Sequence, residues 1–160
     1  MSPLALALYQ PDIPQNAGTM LRACACLGVE AAIIGPAGFP VTDSAFRRAG
    51  MDYLDLVTIN RHASFDAFQH WRAVSAASGT KRRLVLLSTR AAMDYTACKY
   101  ESGDILLVGR ESAGVPDEVF SAADVAVRIP MRPEARSLNV AVAAAMVMGE
   151  ALRQLHAAAG

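Results

Sequence analysis

The sequence predicts an α/β fold, a single domain over 1–160 in which helices cover both faces of a largely parallel β-sheet. Three observations lead there. Apolar runs of strand length alternate with helical patterns from one end of the chain to the other. Several of those runs are continuously apolar instead of alternating with polar residues, as strands buried on both faces should be. A length of 160 residues is enough for one substantial core and too short for two full domains.

In order, strands are expected at Leu4–Tyr9, Ala31–Ile34, Asp55–Ile59, Leu84–Leu87, Ile105–Val108 and Val125–Ile129. Helices are expected near Asn16–Leu27, Ser44–Ala49, Phe65–Ser78 and Pro116–Ala122, with a long final one from about Ser137 to His156. Asn16 reads as an N-cap of the first helix, and Gly28 as its C-terminal stop.

Composition excludes several classes. The longest unbroken apolar run, Val140 to Met148, is about half the ~18 residues needed to cross a bilayer, so no membrane association is expected. The N-terminal stretch lacks the basic region and cleavage pattern of a secretory signal, which places the protein in the cytoplasm. Fifteen basic residues balance 15 acidic ones, so any contact with a polyanion must come from local patches. Cys24, Cys26 and Cys98 form no disulfide framework, and neither they nor His62, His70 and His156 have metal-ligand spacing. Cys98 reads as a small buried thiol.

Three loops that follow expected strands carry the chemistry, because ligands in open α/β sheets bind at the carboxyl ends of strands. The common nucleotide fingerprints, G-x-G-x-x-G and G-x-x-x-x-G-K-[ST], are absent. The first loop, Gln10 to Thr19, leads into a helix on which Thr19 and Arg22 share a face near the N-terminus, an arrangement that suits a phosphate and equally describes a solvated surface arginine. The second runs from Gly109 to Pro116, with Gly109 and Gly114 allowing close backbone approach and Glu111 supplying a carboxylate; it could be a ligand loop or a plain strand-to-helix turn. The third spans Arg128 to Val140. Pro130 and Pro133 stiffen it, while Ser137 and Asn139 bring a hydroxyl and an amide to the start of the final helix, where Ser137 could also be a simple cap. Arg132 and Arg136, with Arg47-Arg48 and Lys81-Arg82-Arg83, are the candidates for a basic, RNA-binding patch. On the final helix Ala141, Ala145 and Gly149 recur every four residues, a stripe suited to tight helix packing in a homodimer or against the chain's own sheet.

Taken in order, Pro11 to Gly18 with Arg22, Gly109 to Pro116, and Ile129-Pro130-Met131 through Ser137-Leu138-Asn139-Val140 resemble the SpoU branch of the SPOUT RNA methyltransferases. Gly38-Phe39 followed by Phe46 to Tyr53 resembles the signature of the TrmL-type tRNA (cytidine/uridine 2′-O)-methyltransferases, which act on the wobble nucleotide of the anticodon. The resemblance covers nearly the whole chain. It implies a deep C-terminal trefoil knot, S-adenosylmethionine as cofactor, tRNA as partner, a homodimer and no metal. By position it assigns Leu87, Gly109, Ile129, Ser137 and Leu138 to the cofactor, and Arg22, Glu111 and Asn139 to the active site. Arg110, Ala113 and the run Val140-Ala141-Val142 depart from some members, and these departures bear on RNA contacts more than on the cofactor. A SpoU enzyme for another tRNA position or for rRNA, and a non-catalytic RNA-binding module, are the alternatives.

Overall fold

A computed structural model describes residues 2–159. Seven strands form one sheet: β1 (Leu4–Tyr9), β2 (Glu30–Ile34), β3 (Ile59–His62), β4 (Leu84–Leu87), β5 (Met93–Asp94), β6 (Asp104–Val108) and β7 (Val125–Arg128). Their spatial order is β3-β2-β1-β6-β4-β7-β5, and every neighbouring pair is parallel. Five helices connect them: α1 (Pro14–Leu27), α2 (Asp43–Arg48), α3 (Phe65–Ala77), α4 (Asp117–Ala122) and α5 (Val140–Ala159).

The continuously apolar strands behave as their sequences require. All residues of β1 and of β6 are buried, and alternate side chains feed two separate cores. Leu4, Leu6, Leu8, Leu106 and Val108 point to the face covered by α1 and α5. Ala5, Ala7, Ile105 and Leu107 point to the opposite face, where Phe68 of α3 and Val119 of α4 close the core. Both faces are therefore dry, as expected for a parallel sheet.

Three boundaries differ from the sequence reading. The strand expected at Asp55–Ile59 is a 3₁₀ turn at Leu54–Leu56 followed by a strand at Ile59–His62. Leu54 drops into the core while Leu56 is 72% exposed, and an edge strand with one hydrogen-bonded neighbour leaves little pattern to read. The extra edge strand β5 has two residues, too few to show any periodicity. Asn16 is not the N-cap of α1: Ile13 holds that position, Pro14 begins the helix, and the cap makes no side-chain hydrogen bond. Gly28 does end α1, in the left-handed conformation that favours glycine (φ +69°).

Lys81-Arg82-Arg83 also has a different role from the one expected. Arg82 is buried, donates to Glu30 Oε2 (3.1 Å) and to the Gly103 carbonyl (2.8 Å), and lies over the Trp71 ring. Arg83 grips Asp104 through two hydrogen bonds of 3.0 and 2.8 Å. Asp104 is 1% exposed, and this pairing keeps its charge satisfied. Arg82 and Arg83 thus fasten the amino ends of the strands and present no free charge to a ligand. Replacing Arg83 by Ala is expected to cost about 3–5 kcal/mol by leaving a buried carboxylate unpaired, measured as a lower midpoint in urea unfolding.

Candidate active site

Parallel pairing puts the carboxyl ends of β1, β6, β4 and β7 side by side on one edge of the sheet. The chain runs from β1 outward to β2 and β3 on one side, then crosses to the other, so the strand order reverses at the β1–β6 junction. A cavity of about 670 Å³ lies at this edge. Its apolar wall includes Leu87, Val108, Val127, Val140 and Val147, and its polar groups come from the loops after β4, β6 and β7. That mixture and volume are those of a small-molecule site.

All five residues assigned to the cofactor by resemblance, Leu87, Gly109, Ile129, Ser137 and Leu138, line this one cavity. Glu111, Asn139 and Arg136 line it as well. Arg22 does not. It stands on the outer side of α1, 65% exposed, above the Tyr53 ring and 3.9 Å from Asp52. Tyr53 in turn donates from its hydroxyl to the Gly18 carbonyl (2.8 Å), so the Phe46-to-Tyr53 segment braces the helix that carries Arg22.

The loop after β6 depends on two glycines that fold it back on itself. Arg110 N–H donates to Gly114 O (3.0 Å), and Gly114 N–H returns a bond to Arg110 O (2.8 Å). A Cβ on Gly109 would sit 2.7 Å from the Gly114 carbonyl carbon, and Gly114 has φ +64°. The loop therefore needs a bare backbone at the first position and left-handed freedom at the second.

The final helix begins three residues later than expected, at Val140. Asn139 is its cap: Oδ1 accepts from Ala141 N–H (2.9 Å) and Val142 N–H (3.2 Å). Its Nδ2 donates to Asn16 Oδ1 (3.1 Å), tying the third loop to the first turn of α1. This leaves Ser137 free of a capping duty and exposed beside Leu138 on the cavity wall.

The remaining arginines divide by environment. Arg47 pairs with Asp55 (3.3 Å), and Arg48, Arg132 and Arg136 are exposed, with no ion pair among the described residues. Arg90, outside the three loops, and Arg128, the first residue of the third, also line the cavity. Arg90 is paired with Asp117 (3.0 Å) and lies 4.4 Å from the Phe120 ring centre. Ser88-Thr89-Arg90 directly follows β4, so the rule that selected the other three loops applies to this one too. Cys24 and Cys98 are buried, and burial pushes the Cys24 thiol up to about 12 and raises that of Cys98, which keeps both protonated.

Residues 3–149 match the model of the SpoU rRNA Methylase family. The chain belongs to that family. Among its relatives, the tRNA (cytidine(34)-2′-O)-methyltransferase of Beijerinckia indica subsp. indica is 68% identical over 96% of this chain and 93% of its own length. A solved structure reported as giving structural insights into the 2-OH methylation of C/U34 on tRNA superposes with a TM-score of 0.86, at 39% identity over 98% of both chains. The SpoU methyltransferase AviRb from Streptomyces viridochromogenes, solved in complex with AdoMet, has a TM-score of 0.86 at 27% identity and covers 98% of this chain and 62% of its own. The shared sheet accounts for why the three motif loops meet: they follow β1, β6 and β7, which lie within the four-strand run β1-β6-β4-β7, and the third leads into α5. Gly109→Ala is expected to force the Gly109–Gly114 contact apart and to destabilise the fold by about 1–3 kcal/mol, read as a lower midpoint in urea unfolding.

Proposed function

We propose that this protein transfers a methyl group from S-adenosylmethionine to the ribose 2′-oxygen of the wobble nucleotide, cytidine or uridine 34, in tRNA. The observation that carries this reading is the convergence of three separately recognised motif loops on one cavity, in a chain whose relatives with that activity match it nearly end to end.

The residues present fit the donor. The apolar wall from Leu87, Ile129 and Leu138 suits an adenine ring, and the bare backbone of the Gly109–Gly114 loop lets polar main-chain groups approach closely. When bound, the donor supplies an activated methyl group on a sulfonium. The chain's task is to hold a ribose hydroxyl in line with that methyl and to exclude competing water. Ser137 and Asn139 orient the cofactor or the ribose from the start of α5, and Glu111 fixes the loop after β6. Arg22 serves as a charge partner for an RNA phosphate or for the negative charge that develops on the ribose oxygen; a guanidinium stays protonated and so is suited to that role and not to taking up a proton.

Exposed Arg48, Arg132 and Arg136, with Arg47, form the RNA-facing charge. With no net charge on the chain, one copy offers few phosphate contacts, and a homodimer would pool two sets. The outer side of α5 suits such a pairing: Val142, Ala145, Met146 and Gly149 are exposed along one stripe, whereas Ala141 turns inward to the core. A C-terminal segment threaded as a trefoil knot and a cytoplasmic location belong to the same reading.

Tritium transfer from labelled donor to total tRNA, followed by mapping of the modified nucleotide, tests the reaction; a methyl group at any nucleotide other than 34 overturns the substrate assignment. Arg22→Ala is expected to slow methylation by about 10²-fold with donor affinity unchanged, and a rate near wild type refutes its role. The tRNA affinity is expected to fall steeply with added salt, in proportion to the number of phosphates neutralised. Sedimentation that finds only monomer at micromolar concentration rules out the dimer.

A further inference from the structure

The turn after β1 and the loop after β6 meet through two carboxyl groups. Asp12 N–H donates to Glu111 Oε2 (3.4 Å), which brings the two residues into contact. Asp12 Oδ1 and Glu111 Oε1 are both buried, and neither has a hydrogen-bond partner. Two ionised carboxylates offer only acceptors, so a hydrogen bond between them requires a proton on one.

The surroundings determine which one. Asp12 Oδ2 accepts from the Ser112 hydroxyl (2.5 Å) and faces the Arg110 guanidinium (3.6 Å), contacts that favour an anion. Glu111 and Ser112 hold the Asp12 carboxyl at about 2, with help from Arg110, while burial and then Asp12 itself push Glu111 above its ordinary range. Arg110 is the cation acting on Asp12, and it also acts on Tyr9 at the end of β1, an effect that Glu118 of α4 opposes. Behind the pair, Gly38 N–H donates to the Pro11 carbonyl (2.9 Å), and a Cβ on Gly38 would come within 3.1 Å of Asp12 Cα. The Gly38-Phe39 segment thus presses Asp12 toward the loop.

We propose that Glu111 Oε1 carries a proton donated to Asp12 Oδ1, and that this shared proton latches the β1 turn to the Gly109–Pro116 loop, making Asp12 a positioning residue for the methyl-donor wall. The effect on the donor rests on the methyl-transfer reading; the latch itself does not. The sign of its pH dependence follows from the two carboxyls. The latch weakens on acidification as Asp12 is neutralised near 2, and on alkalinisation as Glu111 loses its proton at its raised value. Between these limits it is fully formed.

Carboxyl carbon NMR across a pH series, recorded on the full chain without donor, tests the latch. In the wild type, Glu111 should titrate above the ordinary carboxylate range and Asp12 below it. Asp12→Asn places an amide N–H where the shared proton sat and keeps a carbonyl oxygen for Ser112, so Glu111 should titrate lower than in the wild type. Calorimetric titration with S-adenosylmethionine should show donor affinity that declines with rising pH in the wild type and is level in Asp12→Asn. Asp12→Ala should bind the donor about tenfold more weakly, as befits one lost charge-assisted hydrogen bond, and Asn should restore most of that loss. An ordinary Glu111 titration in the wild type, or one unmoved by Asp12→Asn, overturns the proposal. If Glu111 titrates high but the wild type binds no donor, the latch stands and the methyl-transfer reading falls.

Discussion

Every strand of this sheet runs in the same direction, and that constraint organises the rest of the molecule. Parallel pairing sends all strand carboxyl ends to one edge, so segments far apart in the chain, after β1, β4, β6 and β7, must emerge as neighbours. Two dry faces are needed to support such a sheet, and α1 with α5 on one side and α3 with α4 on the other supply them. The cavity is a consequence of that geometry. It lies beyond the carboxyl ends of β6, β4 and β7 and beside the start of α5, and loop chemistry then decides what it can hold.

The polar groups are distributed in keeping with the same polarity. At the amino edge, Arg82 and Arg83 are consumed by Glu30 and Asp104 and hold strand ends together. Asp124 does similar work there, accepting from Leu84 N–H (2.7 Å) and Arg72 (3.2 Å), and these bonds keep its carboxyl below the usual range despite burial. At the carboxyl edge, by contrast, several polar groups remain available: Ser137 is exposed, Arg136 is unpaired among the described residues, and the Arg110 Nε is buried without a partner. Charge count alone cannot distinguish an arginine that fastens a strand from one that waits for RNA; the partner has to be seen.

That difference explains what could be read from the sequence. The strands β1, β4 and β6 were legible because burial on both faces leaves an unbroken apolar run, and Gly28 because a helix must end in a conformation that glycine adopts freely. Gly109, Ile129, Ser137 and Leu138, which line the cavity, were legible through motifs that follow a strand or open a helix. Edge strands β3 and β5 were not, since half-exposed short segments carry mixed polarity. Arg82 and Arg83 looked like free charge because their partners, Glu30, Gly103 and Asp104, are distant in the chain or lie on another element. Asp12 lies within the Pro11-to-Gly18 motif, yet its contacts with Glu111 and Ser112 span about a hundred residues and exist only after folding.

Asn139 illustrates how economical the carboxyl edge is. One amide oxygen starts a twenty-residue helix while the amide nitrogen of the same side chain reaches across to Asn16. Because a single side chain both caps α5 and borders the cavity, replacing it disturbs helix and cavity wall together. Exposed Arg132 and Arg136 on the neighbouring loop carry no such double duty, so a change there leaves the start of α5 intact.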